Sequence, residues 1–292
     1  MDAIEYLSEI YRGYSINWHY DECPDDPRSW DNPDHMICWH RRYNMGDKHD
    51  FAEPINLFRF LVQEEVPSEK ILEYIKTNKI CEVVENPEAD EDERFEMCVH
   101  YEDYYGKNTE TLYGCATEQE AWDDLDTDTI VNEYFDHSNC NSILKDYVLI
   151  RPISMYEHSG CTVYYGSPCD RWDSGYIGYG YMTKKEVIKG WGESYAETWK
   201  EQAKSIMDGS MEVYDSYVRG DVYGFVIEDE DGDQVDSCWG YYGDDAVKEQ
   251  TKECKEIIDA EIKERERKAK EEAERAEREA IEASCKFWSC IA

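Results

Sequence analysis

Aromatic and β-branched residues gather in short runs across residues 155–245, each bounded by Gly, Ser or Asp, and predict strands joined by turns. The runs cover residues 161–165, 176–182 and 222–228. Residues 222–227 and 234–239 flank the acidic turn 229–233 and predict a hairpin, with Gly232 supplying the positive φ of a tight turn. Two helical patterns lie between the strands. One is short, residues 184–189; the other starts at Ser194, where Glu197 completes a capping box and Trp199, Ala203, Ile206 and Met207 follow at helical spacing. Strands and helices mixed without regular βαβ alternation predict an α+β fold, a mainly antiparallel sheet with flanking helices.

The remaining patterns extend this reading. Ile4, Leu7, Ile10 and Tyr11 share one helical face and predict an amphipathic helix within residues 1–20; a turn-rich loop follows at 23–27. Residues 53–63 and 68–77 read as helices, the second with Ile71, Leu72 and Ile75 as its apolar stripe and Ser68 as its cap. Alternation over 95–101 predicts a strand, Thr117 with Glu120 a helix start, and 139–146 a connection. From Asp245 to about Cys285 one helical pattern runs on without Gly or Pro. Ile257, Ile258 and Ile262 are placed to pack on the body. Beyond them Ala269, Ala273, Ala276 and Ala280, spaced 4-3-4, form only a thin heptad seam. The chain thus divides into an N-terminal α/β region (1–87), an acidic, aromatic-rich region (88–146), a central α+β sheet unit (147–245) and a C-terminal helical arm (246–292).

Charge adds a second constraint. The 292 residues carry 68 acidic against 31 basic side chains, a net charge of −37, yet 14% are aromatic, which predicts a folded protein with an acidic exterior. Such a field repels nucleic acid and lipid surfaces and attracts basic protein surfaces, so no direct nucleic-acid or membrane partner is expected. Residues 88–136 concentrate it, with 17 Asp or Glu against only Arg94 and Lys107. Glu91, Asp92, Glu93, Glu102, Asp103, Asp123, Asp124, Asp126 and Asp128 become candidate partner-binding residues, with Trp122 and Tyr134 as aromatic anchors. The acidic N-terminus lacks the apolar core of a signal peptide, and no apolar run approaches membrane-spanning length. A cytoplasmic protein whose 12 cysteines are thiols is expected.

Candidate chemistry adds little. His35, Cys38 and His40, with His49, raise the question of zinc, but their spacing matches no paired-ligand pattern. A strand with Met36, Cys38 and His40 on one face and Ile37 and Trp39 on the other accounts for them. The chain holds no Gly-rich phosphate loop, nucleophile elbow, His-Glu-x-x-His or Cys-x-x-Cys motif. Asp229, Asp231 and Asp233 lack the distant Glu of a calcium loop and read as a solvated turn. A non-enzymatic protein without cofactors is expected. At the end of the polar arm, Cys285, Phe287, Trp288 and Cys290 form an apolar tip, a candidate site of homo-oligomerisation.

Several strings resemble a family of phage and conjugative-element proteins, most of unassigned function. They are Asp26–Asn32, Cys38–Asp50, Tyr156–Gly160, Trp172–Gly175, Gly220–Phe225 and Asp236–Asp245. The likeness runs in patches over residues 24–246; the acidic region and the terminal helix look like additions, and no active-site residue is carried over. In size, acidity and terminal arm the chain also resembles the Gabija anti-defence proteins, phage inhibitors of a nuclease with a helicase-like partner. The resemblance implies an oligomeric inhibitor in the cytoplasm of an infected bacterial host, binding a defence nuclease complex and keeping DNA from it. The alternatives are a DNA-mimic anti-restriction protein, a metal-dependent or thiol enzyme built on His35, Cys38, His40 and His49, and a structural mobile-element component.

Overall fold

The computed structural model describes residues 5–289, with side chains to residue 282. The chain opens with β1 (Glu5–Tyr11) and β2 (Tyr14–Tyr20), then β3 (His35–Cys38), α1 (Pro54–Glu65) and α2 (Ser68–Thr77). Next come β4 (Cys81–Glu85), β5 (Phe95–Asp103), β6 (Gly106–Cys115), α3 (Glu118–Asp123), α4 (Thr127–Tyr134) and α5 (His137–Leu144). Then follow β7 (Val148–Glu157), β8 (Cys161–Tyr165), β9 (Ser174–Thr183), α6 (Lys184–Trp191) and α7 (Trp199–Arg219). The last elements are β10 (Val222–Glu228), β11 (Gln234–Tyr242) and α8 (Asp244–Ser289). Among the described residues all strand pairing is antiparallel, and the α+β expectation holds.

Two compact units emerge, Met1–Pro27 with Val213–Ala292, and Arg28–Glu212. This division cuts across the four segments read from composition. The 147–245 stretch splits, because β7, β8 and β9 join β3 in one sheet while β10 and β11 join β1 and β2 in another. The 88–146 stretch does not stand apart either: β5 pairs with β4, and Ile130, Val131, Phe135 and Leu144 share a core with Leu57, Phe58 and Ile71.

In the first unit the sheet order is β1-β2-β10-β11. The helix predicted at the N-terminus is instead a hairpin. Arg12 (φ 53°) and Gly13 (φ 89°) make the two-residue turn that joins Tyr11 to Tyr14, both with the positive φ that a twisted hairpin demands. Tyr14, Ile16 and Trp18 alternate inward, and their burial against Phe225 and Ile227 outweighs the helical spacing of Leu7, Ile10 and Tyr11. The β10–β11 hairpin turns as expected, with Gly232 at φ 82°. Asp229 Oδ1 accepts the N–H groups of Asp231 (3.1 Å) and Asp233 (2.9 Å). Helix α8 covers the core with Val247, Cys254 and Ile258, and Ile257 and Ile262 pack beside them as expected. Beyond this point Ala269, Ala273, Ala276 and Ala280 are all exposed.

In the second unit the strand orders are β3-β9-β7-β8 and β4-β5-β6. Strand β3 lies close against β9 because Gly178 has no Cβ, which would collide with the Ile37 carbonyl. The stretch expected to be a connection, 139–146, is mostly helix α5. Asp136 caps it by accepting the Asn139 N–H at 2.8 Å, and Cys140, Ile143 and Leu144 bury its short inner face. Helix α7 begins at Trp199 rather than Ser194, which sits in a 3-10 turn after Gly192 (φ 99°) ends α6. Ser68 opens α2 without capping it; Pro67 holds the cap position. Met182, Val187, Trp199, Ala203 and Met207 form a smaller second core.

Candidate interaction surface

The acidic region supplies β5 and β6 of the three-stranded sheet and the short helices α3, α4 and α5, and its charged side chains lie mostly exposed. Glu91, Asp92 and Glu93 are exposed in the β4–β5 loop. Glu102 and Asp103 end β5, nine residues long, so the two groups stand roughly 25 Å apart at opposite ends of that strand. Asp123, Asp124, Asp126 and Asp128 are exposed on or beside α3 and α4.

Several of these acids also serve the fold. Asp126 caps α4, accepting the Asp128 N–H at 3.1 Å and the Thr129 hydroxyl at 2.7 Å, and the Thr129 bond leads the lowering of its pKa. Asp123 accepts from Gln119 Nε2 at 2.8 Å, and Asp103 Oδ1 accepts the N–H groups of Tyr105 and Gly106 in the β5–β6 turn. Charge reversal at these three would disturb structure as well as charge.

The two expected aromatic anchors are partly buried against the unit's own core. Trp122 packs partly buried on the unit's own core under Lys76, whose Nζ lies 4.4 Å from the ring. Tyr134 packs on the same core, its ring 5.5 Å from that of Tyr101, and its hydroxyl donates to Glu110 Oε2 at 3.3 Å. The rings that do project are Tyr104 and Tyr105, 96% and 91% exposed at the tip of the β5–β6 hairpin beside Glu102 and Asp103. The Asp103-Tyr-Tyr-Gly106 string between two alternating runs was the signal for them. Side chains of the arm tip, Cys285, Phe287, Trp288 and Cys290, lie outside the described residues.

The histidine and cysteine cluster disperses. Among the described residues, no three His, Cys, Asp or Glu side chains are placed to hold a metal ion. His35 Nε2 contacts Glu186 Oε1 at 2.8 Å and the ring stacks on Tyr181 at 4.5 Å. Cys38 is buried, and burial pushes its thiol up to about 12, so it makes a poor thiolate nucleophile. His40 Nδ1 accepts the Tyr43 N–H at 3.1 Å, while His49 Nε2 donates to Cys38 O at 3.0 Å.

The His35–Glu186 pair has a pH signature. Burial alone would lower the histidine's pKa, but the hydrogen bond to Glu186 and the charges of Glu186, Asp47 and Asp34 raise it. Burial alone would raise Glu186; the bonds from His35 and Thr183 lower it. A raised imidazole stabilises below its ordinary 6.5 and loses this as pH climbs through the folded value. A lowered carboxyl stabilises above its ordinary 4.5 and loses this as pH falls. The pair therefore contributes fully only between those values. His35→Gln should cost stability near pH 6 and little near about pH 9. Urea midpoints for both proteins at the two pH values check this, and an equal loss at both would refute the ion pair.

No protein-family model, curated protein or solved structure matches the chain. Among the described residues no helix is long and apolar enough to cross a membrane.

Proposed function

We propose that this chain is a phage-encoded, non-enzymatic inhibitor of a host DNA-targeting defence nuclease complex, of the Gabija type. It acts in the cytoplasm of the infected cell as an oligomer joined through the α8 arm. The observation that carries the reading is the β5–β6 hairpin tip, where two bare tyrosines stand beside Glu102 and Asp103 in the most acidic part of the chain. Long-range attraction would bring this surface to a basic DNA-binding face, and the rings would supply short-range affinity. Repeated copies would add avidity.

The test uses a purified Gabija-type nuclease complex and its DNA substrate. The chain should suppress cleavage, and Tyr104→Ser with Tyr105→Ser should weaken binding by roughly thirtyfold per ring if each is a hot spot of about 2 kcal/mol. Reversing Glu91, Asp92 and Glu93 should slow association and flatten its salt dependence. Full inhibition by both variants would remove this surface from the mechanism, and failure to inhibit any nuclease would favour the structural mobile-element role.

A further inference from the structure

Three stretches far apart in sequence, none used by the inhibitory reading, line one open cleft of about 610 Å3 in the Arg28–Glu212 unit. They are the loop after β3, the β7–β8 turn and the β8–β9 loop. Side chains lock them together. Arg42 pairs with Glu157, whose other oxygen accepts the Tyr43 hydroxyl at 3.0 Å. His158 Nδ1 lies 3.2 Å from Asp173 Oδ2, and the Glu157 N–H donates to Asp173 O at 2.8 Å.

The cleft is built to present an aromatic ring. Trp172 is 84% exposed, yet the loop beneath it is tied down by several hydrogen bonds. Asp170 Oδ1 accepts the N–H groups of Trp172 at 2.6 Å and Asp173 at 2.9 Å, and the Ser174 hydroxyl donates to Asp170 O at 2.6 Å. An indole held in water contributes nothing to a core, so the folding of this loop gives no reason for it. Tyr176, 62% exposed, lines the same cleft.

Its charge is unlike the rest of the chain. Glu157 and Asp173 already face Arg42 and His158. Arg41 on the lining, and Arg171 with its guanidinium carbon 5.6 Å from the Trp172 ring centroid, form no ion pair among the described residues. His40 Nδ1 accepts backbone N–H groups from Arg42 and Tyr43, which places the ring proton on Nε2 as a donor. Burial, then the neighbouring Arg42, lower the pKa of this ring.

We infer that this cleft binds a nucleoside phosphate, its base stacked on Trp172 and its phosphate held by Arg41 and the His40 Nε2–H. Guanidinium groups match phosphate oxygens in a two-pronged geometry, and an indole face accepts any base. The cleft volume suits one such unit. A nucleotide at the end of a strand offers the same chemistry, but each further phosphate meets the field of a chain at −37. The free mononucleotide is therefore the ligand. This site is independent of the inhibitory reading, and its test needs no defence protein.

Calorimetric titration of the full chain with AMP, GMP, CMP and UMP, at about 0.15 M salt, decides it. At least one should bind with a Kd below millimolar, while adenosine, inorganic phosphate and a short single-stranded oligonucleotide bind about tenfold more weakly. Trp172→Ala and Arg41→Ala should each weaken binding about tenfold, and Trp172→Phe, which keeps a ring, should retain most of it. Both positions are exposed, so circular dichroism should report unchanged folds. No mononucleotide binding at millimolar concentration, binding that survives both alanine variants, or tighter binding of the oligonucleotide would each overturn the inference.

Discussion

Arg28→Met should destabilise the Arg28–Glu212 unit by about 3–5 kcal/mol, because it strands the enclosed Asp34 carboxylate and strips the partly exposed Asp47 of its main partner. The Arg28 side chain is 2% exposed and that of Asp34 fully enclosed. Its Nε donates to Asp47 Oδ1 at 2.8 Å and its Nη2 to Asp47 Oδ2 at 3.1 Å and to the Asp34 carbonyl at 2.8 Å, while Nη1 reaches Asp34 Oδ1 at 3.3 Å. Asp47 Oδ2 in turn accepts the Met36 N–H at 2.8 Å, so the network fixes the start of β3. Methionine fills much of the volume and removes every donor that Arg28 supplies, leaving the enclosed Asp34 carboxylate without its counter-charge and Asp47 with the Met36 N–H. Urea unfolding measures the loss, and amide exchange should quicken in β3 and β9. Adding Asp34→Asn and Asp47→Asn should recover much of the stability, since the cost lies in uncompensated charge rather than in a missing attraction. A loss under about 1 kcal/mol for Arg28→Met would show that water reaches the carboxylates.

Trp18→Ala should cost the other unit a similar amount, about 3–5 kcal/mol, for a different reason. Trp18 is fully buried, with ring centroids of Phe225 at 5.6 Å and Tyr241 at 5.4 Å, both edge-on. Its Nε1 donates to Thr251 Oγ1 at 3.1 Å, and that hydroxyl donates to Val247 O at 2.7 Å inside α8. Truncation therefore opens a cavity and also removes one tie between the helix and the sheet. Exchange should speed in β2, in β10 and in the first turns of α8. Trp18→Phe should cost less, because it keeps most of the packing and loses chiefly the bond to Thr251. Equal losses for the two variants would place the stabilisation in the hydrogen bond rather than in the ring.

The acidic surface was half legible. Charge is a property of composition, so the exposed acids of residues 88–136 follow from the sequence, and the Thr117–Glu120 helix start is realised as Thr117 Oγ1 accepting the Glu120 N–H at 3.1 Å. Which rings face water does not follow. Trp122 and Tyr134 read as anchors because they stand among acids, but α3 and α4 pack on the unit's core and leave both rings partly buried. Tyr104 and Tyr105 project because the β5–β6 turn, held by Asp103, leaves nothing above them.

Some signals that act within a few residues reached the structure intact, while the Ser194 and Ser68 caps did not. The β10–β11 turn at Gly232 and the continuous α8 helix depend on neighbours four or five residues away. The partnership of strands does not. Val226 pairs with Asn17, and Met36 with Gly180, across separations no local pattern encodes. Residues 5–11 satisfied helical spacing, and only the burial of Tyr14, Ile16 and Trp18 against β10 decided for a hairpin. The same pairings redrew the units and brought His40, His158 and Trp172 to one cleft. Sequence determined the local elements and the sign of the field. Tertiary structure alone chose the partners, because a strand's place depends on which distant face still has apolar surface to bury.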